Sequence, residues 1–206
     1  MEELKGWGGG RSYRELYHFF KSIQVQYEHE SWCDSPTFSH SVNLSLLKSL
    51  RYYNTGVLPL YELCAVLDGV QLEPRQRNEK HLKRLKYLLT YQASLVNDIF
   101  SVRKEIDIGE ANNLVLAYCC GEQPESSTTT TMDFSQSLKK VLRRHDRVGA
   151  EAKQLYDYLQ ASYSKDSNII KYVEIMVSQV EGNVMFHMHN PGRYGVFKWS
   201  VQAAAI

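Results

Sequence analysis

Residues 85–107 read Leu85-Lys86-Tyr87-Leu88-Leu89-Thr90-Tyr91-Gln92-Ala93-Ser94-Leu95-Val96-Asn97-Asp98-Ile99-Phe100-Ser101-Val102-Arg103-Lys104-Glu105-Ile106-Asp107, and their periodicity decides the fold. Leu85, Leu88, Gln92, Leu95, Ile99, Val102 and Ile106 recur at helical spacing as one stripe, and Leu89, Ala93, Val96 and Phe100 widen the apolar arc. The pattern runs from about Arg77 to Asp107 and is the longest in the chain. A helix this apolar needs other helices around it. Its narrow polar stripe is therefore expected indoors, where polar groups need partners.

That stripe is Asn97, Ser101 and Glu105, at i, i+4 and i+8. At about 100° per residue the three fall within roughly 80° of one another, with Lys104 at their border. An amide, a hydroxyl and a carboxylate are all oxygen donors, the kind a hard divalent cation such as magnesium accepts. Spacing alone leaves two readings open, a cation half-site and a solvated helix face. Asp98 lies at the edge of the stripe, where it is better placed to orient an Arg or Lys than to bind a metal.

Working outward, helical periodicity recurs from Ser12 to about Trp32 through Leu16, Phe19, Phe20, Ile23 and Tyr27. Ser35-Pro36-Thr37 reads as a turn, Ser41 to Tyr53 as a second helix, Asn54-Thr55-Gly56 as a break and Val57 to Leu67 as a third helix ending at Asp68-Gly69. Beyond Asp107 come a short helix from Asn112 to Cys120 and a polar loop over Gly121 to Thr131. Two amphipathic helices follow, Phe134 to Tyr163 and Asn168 to His189, before the stop at Asn190-Pro191-Gly192. No β alternation or internal repeat is evident, so the expected class is all-α, a single domain over residues 1–206.

Composition agrees. The 206 residues are 43% hydrophobic and 23% charged, with a net charge of +1 from 24 basic and 23 acidic side chains. Such balance gives no global field for nucleic acid or an anionic membrane, so anion binding must be local. There is no apolar signal segment and no apolar run of membrane-spanning length, so membrane insertion is not expected and the location read is cytoplasmic. Cys33, Cys64, Cys119 and Cys120 lack metal or disulfide spacing and read as reduced, mostly buried thiols. The histidines form no ligand pair, and most are expected at the surface.

Asn97-Asp98-x-x-Ser101-x-x-Lys104-Glu105 resembles the second metal-binding motif of class I terpene synthases, which ionise prenyl diphosphates. The resemblance implies that Asn97, Ser101 and Glu105 hold one magnesium ion and that Lys104 contacts diphosphate. Arg51, in Arg51-Tyr52-Tyr53-Asn54-Thr55-Gly56-Val57-Leu58-Pro59, looks like the family's diphosphate-sensing arginine before its helix break. Arg193-Tyr194 resembles the family's C-terminal diphosphate-binding pair. Together these three matches favour the cation half-site over the solvated face. The chain departs from the pattern in offering Phe186 and His187 where the family commonly has a tryptophan. Tyr61, Tyr91 and Phe100 are candidates for an aromatic cavity wall, although core packing suits each of them equally.

The resemblance implies a partial α-helical bundle of the class I type, corresponding to the C-terminal portion of the family's fold. The family's aspartate-rich motif, which holds the other two magnesium ions, has no counterpart. Asp34 and Asp68 are the only aspartates before Asp98, and no Asp-Asp pair precedes it. The expectation is thus an N-terminally truncated, Mg²⁺-dependent carbon–oxygen lyase that ionises and cyclises a prenyl diphosphate, farnesyl diphosphate first. The alternative is an inactive helical binding protein on the same scaffold. Chain elongation by a prenyltransferase fits less well, because it normally relies on two aspartate-rich motifs.

Overall fold

A computed structural model describes residues 12–33, 44–109, 112–120 and 133–190. Among them the regular structure is helical throughout, with no strand. The helices are α1 (Ser12–Cys33), α2 (Leu44–Leu50), α3 (Val57–Leu67), the single turn α4 (Pro74–Arg77), α5 (Lys80–Ile108), α6 (Leu114–Cys120), α7 (Phe134–Ser162) and α8 (Asn168–His189). None is long and apolar enough to cross a membrane.

Helix α5 is the axis. Every residue from Leu88 to Val96 is buried, whichever way it points, because α7, α8, α6 and α3 pack around it. A helix buried on all faces must satisfy its polar side chains locally. Thr90 Oγ1 donates to the Lys86 carbonyl at 2.8 Å, and Ser94 Oγ donates to the Tyr91 carbonyl at 2.6 Å. Gln92, which shares the apolar stripe, meets His145 of α7 at 3.2 Å.

Its ends differ from the sequence expectation. Arg77 belongs to the separate turn α4, and α5 starts at Lys80 because Glu79 caps it, its carboxylate accepting the Leu82 N–H. Gly109, at φ 74°, stops it in a left-handed conformation that a Cβ would strain. Ile106, placed on the buried stripe by periodicity, is 50% exposed near that end. The second helix is also shorter than expected. It ends at Leu50, where Tyr53 N–H bonds back only three residues to the Leu50 carbonyl and the chain tightens into a turn. The break at Asn54-Thr55-Gly56 stands as expected, with Gly56 at φ 72°.

Helix α1 packs chiefly on α3. Phe20 and Tyr27, two of the residues whose spacing marks this helix, are 62% and 67% exposed, because α1 is covered on one side only among the described residues. The expected turn at Ser35-Pro36-Thr37 and the polar loop over 121–131 lie outside the described residues. Cys64 and Cys119 are unpaired thiols, half-buried rather than buried.

A charge cluster joins five helices at the N-terminal end of α5. Glu62 of α3 accepts from Arg77 Nη1 of α4 at 3.1 Å, from Lys86 Nζ of α5 at 2.6 Å and from the Tyr172 hydroxyl of α8 at 2.7 Å. Arg77 also pairs with Glu15 of α1. Two carboxylates and two cations balance, and desolvation holds the Arg77 guanidinium below its ordinary pKa. Removing the hub leaves two cations short of a partner. Glu62→Ala is expected to lower the unfolding free energy by about 3 kcal/mol in urea denaturation. A loss within about 0.5 kcal/mol, the range of an ordinary surface change, would show that the cluster does not hold the helices together.

Candidate metal and diphosphate site

The C-terminal half of α5 carries the motif, and three neighbours fix it. Asn97 is half-buried, while Ser101 and Glu105 are 1% and 5% exposed, so the polar stripe is indoors. Successive members stand about 6 Å apart along the axis.

Arg51, the first residue of the turn that follows α2, is the first neighbour. Its Nη2 donates to Asp98 Oδ1 in a buried ion pair and to Asn97 Oδ1 at 3.1 Å, and its Nη1 donates to Asn54 Oδ1 at 3.2 Å. The guanidinium thus joins the helix break to the motif helix. Asp98 orients an arginine, as its position at the edge of the stripe suggests. Its second oxygen accepts the Leu114 N–H at 3.2 Å.

Asn113 is the second neighbour. The sequence places it inside a helix from Asn112, but it is the N-cap of α6, its Oδ1 accepting the Val115 N–H at 2.8 Å, so the helix begins at Leu114. Its Nδ2 donates to Glu105 Oε2 at 2.6 Å and to the Asp98 carbonyl at 2.8 Å. One carboxylate oxygen of Glu105 is therefore held, which orients the other. Sequence reading missed this role. The available signal was an Asn-Asn pair directly ahead of an apolar run.

His187 of α8 is the third. It is 5% exposed, and its Nε2 lies 3.3 Å from Asn97 Nδ2. The expectation that most histidines lie at the surface fails for His187; of the other five whose side chains are described, His189 is exposed and four are half-buried, His145 against Gln92 of α5.

Among the described residues the buried Ser101 Oγ has no hydrogen-bond partner, and the buried Arg51 Nε has none either. Lys104 is half-buried beside them and has no ion-pair partner among the described residues. Arg193 and Tyr194 lie outside the described residues. Tyr61 and Tyr91 are core side chains, Tyr91 accepting from Arg144 Nε at 2.6 Å, whereas Phe100 is half-buried with its ring 5.4 Å from His187.

An all-α bundle that sets an oxygen-donor stripe on its central helix against an arginine at a helix break defines a class I isoprenoid-synthase type of protein. Residues 14–139 match the family model for terpene synthase family 2, C-terminal metal binding, and the chain belongs to the terpene synthase family. It is 28% identical over 141 residues to a (-)-alpha-amorphene synthase, (2E,6E)-farnesyl diphosphate cyclizing, from Streptomyces viridochromogenes, across 68% of this chain and 39% of that protein. In fold it is similar to 2-methylisoborneol synthase from Streptomyces coelicolor, solved with Mg²⁺ and geranyl-S-thiolodiphosphate. The TM-score is 0.74 at 16% identity, covering 94% of this chain and 58% of that one. The chain therefore spans less than two thirds of either relative.

Burial pushes the Asp98 carboxyl up to about 6 from 3.8, with Arg51 opposing the rise and Glu105 adding to it. A folded-state pKa above the unfolded value means that the folded chain holds the extra proton between the two. Relative to Asp98→Asn, the wild-type chain is expected to lose stability as pH rises from about 4 to about 6, and the difference to level off above that. Paired urea unfolding across this range checks it. The opposite slope would show that Arg51 outweighs burial.

Proposed function

We propose that this chain is a terpene cyclase component that acts with Mg²⁺ on an allylic prenyl diphosphate, farnesyl diphosphate first, breaking the carbon–oxygen bond and releasing diphosphate. The observation that carries the reading is Ser101 Oγ, a buried oxygen without a partner among the described residues, midway along a stripe whose other members are an amide oxygen and a carboxylate. An orphaned hydroxyl there costs free energy unless something else satisfies it, and a hard cation accepts all three donor types.

Asn97, Ser101 and Glu105 would hold one magnesium ion, which when bound supplies positive charge against the departing diphosphate. Arg51 adds a planar, permanent charge, held in place by Asp98 and with its Nε–H uncommitted. Lys104 adds a second charge at the border of the stripe. Arg193 and Tyr194 complete the proposed diphosphate set on sequence grounds. No side chain is needed as a nucleophile, since ionisation is driven by charge and hydrogen-bond donors. Proposed as one domain over residues 1–206, the chain corresponds to the C-terminal, Asn/Ser/Glu side of the family's site.

The second reading is a helical binding protein without chemistry, built on the same scaffold and the same Asn97, Ser101, Glu105 and Arg51 side chains.

Calorimetric titration with Mg²⁺ and inorganic pyrophosphate tests the site. Asn97→Ala and Arg51→Ala are each expected to weaken binding by about tenfold or more, roughly 1.4 kcal/mol. Ser101→Ala should weaken it too while leaving the thermal midpoint unchanged or higher, since it removes an unpaired buried hydroxyl. Unchanged binding in all three would sink the reading. Incubation with farnesyl diphosphate and Mg²⁺ then separates the two functions: a hydrocarbon or alcohol product supports the cyclase, and binding without product supports the second reading.

A further inference from the structure

We infer that His187, which lies outside the Asn/Ser/Glu motif, sets the orientation of the Asn97 amide and so keeps its carbonyl oxygen on the cation side. The inference rests on the reading of Asn97 as a metal ligand. His187 Nδ1 lies 2.7 Å from the carbonyl of Asn183, one turn earlier on α8. A carbonyl only accepts, so Nδ1 carries the proton, and in that tautomer Nε2 is the acceptor nitrogen. Nε2 in turn lies 3.3 Å from Asn97, which must offer it the amide N–H.

On the other side of the same amide stands Arg51 Nη2, which can only donate, 3.1 Å from Asn97 Oδ1. An acceptor on one flank and a donor on the other leave the amide one satisfied orientation. Turned over, it would set oxygen against the imidazole lone pair and N–H against a guanidinium. Because a carbonyl oxygen has two lone pairs, the one not used by Arg51 remains for a cation.

The ring is itself located. It is buried, it packs against Phe100, and Asn183 Nδ2 donates to the Ala93 carbonyl at 3.3 Å, which pins this turn of α8 to α5. His187 is thus a positioning residue. Such supporting partners of metal ligands are worth about 10- to 100-fold in affinity.

The test compares His187→Phe, which fills the space and keeps an aromatic ring beside Phe100 but has no acceptor, with His187→Gln, which restores an acceptor oxygen. Calorimetry with Mg²⁺ and inorganic pyrophosphate is expected to show binding about tenfold weaker or worse in His187→Phe and returned toward wild type in His187→Gln. A merely structural role would not produce this rescue. His187→Leu, smaller and equally without an acceptor, repeats the comparison should the Phe ring disturb packing. Wild-type binding that is lost in Asn97→Ala but kept in both apolar variants overturns this inference alone, as does a Gln variant as weak as the Phe variant. No binding by the wild-type chain overturns it together with the site reading.

Discussion

A helix buried on every side must find a partner for each polar group it carries, and the architecture is organised around meeting that demand for α5. Near its start Lys86 enters the cluster around Glu62, which draws in α1, α3, α4 and α8. Along its middle Thr90 and Ser94 turn back on their own backbone. Toward its end Asp98, Asn97 and Glu105 recruit Arg51, His187 and Asn113. Ser101 is the exception, and an unmet demand inside an otherwise satisfied row is what an inorganic ligand would fill.

The two polar clusters do different work. In the one around Glu62 both carboxylate oxygens are engaged, by Arg77, Lys86 and Tyr172, and it holds helices together even though Arg77 Nε stays unpartnered among the described residues. The one around Asn97 differs in leaving an oxygen donor, the Ser101 hydroxyl, without a partner among the described residues, with a lysine at its border. The second tolerates that unmet donor because Arg51, Asn113 and His187 come from three separate segments and each holds one motif residue in place. That arrangement gives a preorganised donor set on a rigid element, as metal sites require.

Much of this was legible in the chain. The apolar arc of residues 85–107 marked the central helix, and the Asn-Thr-Gly run marked the break that Gly56 makes at positive φ. Asp98, at the edge of the donor stripe, was readable as the partner of an Arg or Lys, and Arg51 fills that place. Periodicity misjudged burial where α5 runs out of neighbours, as at Ile106, since a repeat shows which residues share a face and not whether anything covers it, as the exposed Phe20 and Tyr27 of α1 also illustrate. It also gave no hint of the cluster on Glu62, whose members are scattered from Glu15 to Tyr172.

The sequence by itself determined the helical class, the donor chemistry of Asn97, Ser101 and Glu105, and the likeness to the terpene synthases. These follow from residue types at fixed local spacing, which the geometry of one helix converts directly into a shared face. Only the tertiary structure decided that Asn113 holds Glu105, that His187 meets Asn97 and that Ser101 stands without a partner among the described residues. Those depend on which distant segments pack against α5, and residue identity carries no signal for a hydrogen bond that forms only when two helices are brought together.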